Sequence, residues 1–130
     1  MDDSVNVLGE PLQLCSSDPV TGFYRDGLCN TCSDDLGSHT VCIEATQAFL
    51  EYSRFLGNDL STPVPEYGFT GISKGDSWCL CAARWLEAEG NGMAPKVRLA
   101  STHIKALDII PLDLLLKYAV DSDAAQTHFE

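Results

Sequence analysis

The chain has 130 residues, 45% of them hydrophobic and 21% charged, a balance that suits one globular domain and excludes disorder and fibrous repeats. Its 19 acidic residues against 8 basic ones give a formal charge of -11, which repels phosphate backbones and anionic membrane surfaces, so neither nucleic acid nor membrane is an expected partner. No apolar run approaches the roughly 20 residues that cross a bilayer.

The opening Met-Asp-Asp-Ser-Val carries acids where an exported protein would carry lysine or arginine before an apolar stretch. This predicts a cytoplasmic location in which the 6 cysteines stay reduced, with disulfides as the lesser reading. Turn punctuation at Gly9-Glu10-Pro11, Ser17-Asp18-Pro19, Asp26-Gly27 and Leu36-Gly37 leaves residues 1–38 room for short strands only, at 5–8 and 23–25. From Val41 onward, Val41, Ala45, Ala48, Phe49, Tyr52, Phe55 and Leu56 share one stripe, which predicts an amphipathic helix capped by Ser38 or Thr40 and ended by Gly57.

Residues 58–77 hold Pro63, Pro65, Gly68, Gly71 and Gly75 without any period, a long loop that either lines a site or covers the core. A second helix is predicted behind a cap at Asp76 or Ser77. It would bury Trp78, Cys81 or Ala82, and Trp85, and stop before Gly90-Asn91-Gly92. Residues 96–100 read as a strand, 101–107 as a short helical turn, and 112–120 as a last helix behind Pro111. The resulting fold class is α+β, with short strands or a small sheet packed against three to four helices and many loops. It is a single domain over 1–121 with a flexible tail at 122–130.

Two cysteine constellations could carry chemistry. Cys29, Cys32, His39 and Cys42 provide four soft ligands within fourteen residues, the number and type that a tetrahedral zinc ion takes; zinc is the cofactor they would imply. Against this stands the bland alternative that Cys42 packs as a small hydrophobe and the others are ordinary thiols. The second constellation is Cys79-Leu80-Cys81. If Asp76 caps a helix, Cys79 falls in its first turn, where free amides stabilise a thiolate, and becomes the nucleophile, with His103 as base and Asp59 or Asp108 orienting it. Cys81 then sits on the Trp78 and Trp85 face as a core residue.

Among the loop residues, Arg25 could clamp an anionic ligand, whereas Asp26, Asp59 and Asp76 are better read as turn and cap acceptors. Gly68-Phe-Thr-Gly71 and Gly90-Asn-Gly92 lack the spacing and the lysine of a phosphate loop. The leading expectation is a non-catalytic binding or scaffold domain for a small molecule or a protein, ahead of a zinc-stabilised module and a thiol-dependent enzyme.

The strings Asn-Val-Leu-Gly, Thr-Gly-Phe-Tyr-Arg-Asp-Gly, His-Thr-Val-Cys, Gly-Asn-Asp-Leu-Ser-Thr-Pro and Gly-Asp-Ser-Trp-Cys-Leu-Cys-Ala-Ala-Arg-Trp resemble the domain-of-unknown-function family numbered 2237, over residues 6–121. The resemblance implies no activity, ligand or catalytic residue. It implies glycine at the position of Cys32, where this chain departs.

Overall fold

The computed structural model describes residues 4–17, 20–57, 59–67 and 71–121. Three strands, β1 (Val41–Glu44), β2 (Ser77–Leu80) and β3 (Lys96–Val97), form an antiparallel sheet in the order β2-β1-β3. Three α-helices, α1 (Gln47–Phe55), α2 (Ala82–Gly90) and α3 (Leu112–Tyr118), alternate with short 3-10 segments at Pro65–Tyr67, Leu99–Ser101 and Ile104–Asp108. The expected α+β class with a small sheet and about three helices is therefore present.

β1 corrects the expected helix from Val41. It is the central strand, pairing Val41 with Leu80, Cys42 with Cys79 and Ile43 with Trp78 on one side, and Ile43 with Val97 on the other. Both of its faces are covered, and Val41, Cys42 and Ile43 are fully buried. A strand buried on both faces reads as a continuous apolar run, and such a run also fits a helical stripe. The true helix begins later. Thr46 caps α1 by accepting the Phe49 N–H at 3.2 Å, and Phe49, Leu50 and Ser53 face the core while Phe55 is 87% exposed. Gly57, at φ 92, ends the helix as expected, its N–H donating to the Arg54 carbonyl.

The second helix is corrected in the same direction. Residues 77–80 extend as β2, and α2 starts only after Cys81, burying Ala82, Trp85 and Ala88 at helical spacing and including Gly90, one residue past the stop expected before Gly90-Asn91-Gly92. The Trp85 indole donates to the Pro95 carbonyl at 3.2 Å and meets the Tyr118 ring edge to face at 5.3 Å. Strands expected at 5–8 and 23–25 are replaced by single bridges, Val5 with Pro11 and Asn6 with His103, and by a turn closed by the Arg25 N–H on the Gly22 carbonyl. The strand at 96–100 shortens to β3, and the last helix falls where Pro111 predicted it. Asp121, the last residue of the predicted domain, accepts the Leu99 and Ala100 N–H groups at 2.8 and 3.0 Å. The tail predicted at 122–130 lies outside the described residues.

Alternation along β1 and β2 divides the core. Val41, Ile43 and Leu80 join Phe49, Trp85, Leu99, Ile110 and Leu115 on the helix side. Cys42 and Cys79 instead meet Cys15 and Cys29 from the N-terminal loops.

Candidate functional site

The cysteine expectations are overturned first. Cys15 is bonded to Cys42 and Cys29 to Cys79, with Cα separations of 5.7 and 5.2 Å, so four of the thiols expected to be reduced are disulfides. Strand register explains the meeting point. Cys42 and Cys79 are opposite one another, and their N–H groups donate to the Thr102 and Thr21 hydroxyls rather than to each other, which marks a pair whose side chains lie close together on one face. The loop that carries Cys15 is tied beside them by its N–H donating to the Gly27 carbonyl at 2.7 Å.

The expected zinc set is not brought together. Cys29 and Cys42 belong to different disulfides, Cys32 is an exposed free thiol, and the His39 ring is engaged by Asp35. The expected nucleophile, Cys79, is bonded through its sulfur and sits in a strand rather than at a helix start. His103 and Asp108 line a separate cavity of about 840 Å³, together with Cys32. There the His103 Nδ1 accepts the Lys105 N–H at 3.0 Å. Asp59 serves its own turn, accepting from Ser61 N–H and from the Thr62 N–H and hydroxyl; those bonds, led by the Thr62 hydroxyl, hold its carboxyl below the ordinary value. Asp76 accepts the Ser73 N–H in the turn before β2, not at the start of the helix it was expected to cap, and the turn reading holds for Asp59.

The side chains that do converge lie around a cavity of about 330 Å³ beside the edge strand β2. Its wall includes Phe23, Leu60, Trp78 and Leu80, with Arg25, Arg84, His39 and Cys81 reaching it. Arg25 follows a turn whose Gly22, at φ 99, has no space for a Cβ because the Leu28 carbonyl lies against it. Arg25 itself adopts φ 58, a conformation rare outside glycine, and its guanidinium carbon stands 5.7 Å above the Trp78 ring. Arg84 comes from the first turn of α2. Among the described residues, neither arginine has an acidic partner within 4.0 Å.

His39 is oriented from behind. The Asp35 carboxylate, with 0% of its side chain exposed, meets the His39 Nδ1 at 2.6 Å and also accepts the His39 N–H and the Thr31 hydroxyl. Burial pushes the Asp35 carboxyl up, but these hydrogen bonds outweigh it and hold the group below its ordinary value of 3.8. An ionised carboxylate only accepts, so the shared proton belongs to Nδ1 and Nε2 is the nitrogen that chemistry in the cavity would use. Cys81, a free and half-buried thiol, immediately precedes α2.

Arg25 lines this cavity, and Leu60 brings the 58–77 loop to its wall while Ile72 from the same loop is buried in the core. Arg84, Cys81 and the Asp35–His39 pair were missed. The four-residue spacing of Asp35 and His39 was a usable signal, although in a turn rather than a helix.

A family model described as "Uncharacterized protein conserved in bacteria (DUF2237)" matches residues 5–119. No curated protein matches the chain.

Proposed function

This chain belongs to the DUF2237 family, and from that premise and the cavity at β2 we propose that it is a binding domain for a small organic anion. The observation that carries the reading is the convergence on one apolar-walled cavity of two arginines that have no acidic partner among the described residues, in a chain whose net charge is -11. An overall negative surface does not draw anions, so unneutralised cations gathered in one place imply a local ligand. Arg25 and Arg84 would take the carboxylate or phosphate through paired N–H donors, His39 would add a third polar contact, and Phe23, Trp78 and Leu80 would cover the apolar body. The cavity volume lies within the usual range for small-molecule sites.

Trp78 supplies the readout, because Trp85 is fully buried and will report little of a bound ligand. Titration with benzoate and with phenyl phosphate is expected to give a saturable change in indole fluorescence. Arg84→Ala removes a charged hydrogen bond of about 1.5–3 kcal/mol and is expected to weaken it roughly 10- to 100-fold. Absence of a saturable change with every small carboxylate and phosphate ester tried, or an Arg84→Ala affinity equal to wild type, removes the reading.

A second reading places thiol chemistry in the same cavity. What supports it is the free thiol of Cys81, in place of disulfide-bonded Cys79, sharing the cavity with a histidine aligned by a buried carboxylate. Cys32 is the internal standard, being free and exposed. Iodoacetamide is expected to modify half-buried Cys81 faster than Cys32 at neutral pH; slower modification removes this second reading and leaves the first intact.

A further inference from the structure

We propose that the four sulfurs packed on the loop side of the sheet, those of Cys15, Cys29, Cys42 and Cys79, become a tetrathiolate zinc site when the two disulfides are reduced. The Sγ atoms of Cys15, Cys29 and Cys79 all lie within 4.8 Å of one another, and the Cys42 sulfur is bonded to that of Cys15. In a tetrahedral site with zinc–sulfur bonds of about 2.3 Å, neighbouring sulfurs stand about 3.8 Å apart. The three mutually close sulfurs therefore need to approach by about 1 Å at most. Cys29 and Cys79 need only open to ordinary non-bonded separation, which cleavage of their bond brings about, whereas the Cys42 sulfur, outside that mutually close set, has to close on the Cys29 and Cys79 sulfurs by side-chain rotation once its bond to Cys15 is cut.

The backbone that presents these sulfurs is held by contacts other than the disulfides. Cys42 and Cys79 are opposite residues of the β1–β2 ladder, anchored by the Thr102 and Thr21 hydroxyls. The Cys15 N–H donates to the Gly27 carbonyl at 2.7 Å and the Gly27 N–H to the Thr21 carbonyl at 2.9 Å, which ties the loops leading to Cys15 and Cys29 to the same anchor. All four cysteines are at most 8% exposed. An all-cysteine set sealed in this way has no open position for substrate and corresponds to a structural rather than a catalytic zinc. The zinc site is thus assigned to residues other than Cys32 and His39, and it does not depend on the anion-binding reading.

The chemistry balances with a dithiol as reductant. Each disulfide accepts two electrons and two protons while the dithiol closes to its own cyclic disulfide. Zinc then displaces the four thiol protons, leaving a dianionic tetrathiolate, so uptake strengthens as pH rises.

The test uses the full chain, reduced with a dithiol, freed of it under inert gas, and loaded with zinc or cobalt(II). The expected result is one metal ion per reduced chain retained through desalting and none on the oxidised chain. The cobalt form should show the thiolate-to-cobalt charge transfer and visible bands of a tetrahedral sulfur site. A Cys32→Ser, Cys81→Ser double variant should keep the full stoichiometry, whereas Cys15→Ser and Cys79→Ser should lose it. Because the latter two can fail to fold, the wild-type spectrum and the double variant decide the matter. A reduced wild type that retains no metal, or metal that disappears in the double variant, overturns the proposal.

Discussion

Arg25 concentrates the tension between stability and binding at a single residue. Its left-handed backbone costs about 1 kcal/mol relative to glycine, and its stacking on Trp78 returns about 0.5–1 kcal/mol. Arg25→Gly is therefore expected to leave the denaturation midpoint almost unchanged while weakening organic-anion binding at least tenfold; a stability loss above about 2 kcal/mol would show that Arg25 serves the fold instead. Asp35 carries a pH signature. Its folded pKa is depressed, so the stability it contributes is present above its ordinary value of 3.8 and is lost as pH falls through the folded value. Urea midpoints should show Asp35→Asn clearly below wild type at about pH 5.5, with the gap narrowing towards about pH 2.5. A gap that does not change with pH would mean that hydrogen-bond geometry, not ionisation, is what Asp35 supplies.

For the elements, the decisive boundary is the turn between β1 and α1. Thr46 ends the extended segment and caps the helix through its hydroxyl, so Thr46→Ala is expected to cost about 1 kcal/mol, read as a lower denaturation midpoint. Substituting Thr40, one of the two caps read from the sequence beside Ser38, perturbs the entry to β1 instead, because its buried hydroxyl donates to the Ser38 carbonyl. The sequence showed where α2 and α3 end and begin, since Gly90, Gly92 and Pro111 act within one or two residues of themselves. It misplaced both N-terminal boundaries for a shared reason. Val41-Cys-Ile and Trp78-Cys-Leu are short apolar runs whose pairing partners lie elsewhere in the chain, and a run without alternation carries no mark of extended structure. That error also carried Cys79 to a helix start and hid Cys81 beside the true one.

Across the whole molecule, the disulfides close the loop-rich N-terminal third onto the sheet, spanning 27 and 50 residues. Chain-entropy reasoning assigns about 4 kcal/mol to the longer one, a large share of the 5–15 kcal/mol that domains of this kind possess. Replacing Cys29 and Cys79 together by alanine should lower the unfolding free energy by roughly 2–4 kcal/mol in denaturant titration, whereas Cys32→Ser should stay within about 0.5 kcal/mol of wild type. Hydrophobic patterning along the sequence determined the α+β class with its small sheet, and local chemistry at glycine and proline determined where the chain turns. Only tertiary structure decided which cysteines meet, which strand is central, and that Arg25, Arg84 and His39 share a cavity. The physical reason is distance along the chain: turns and caps are satisfied by neighbours a few residues away, while sulfur pairing and the convergence of cations depend on segments tens of residues apart that only the folded core brings together.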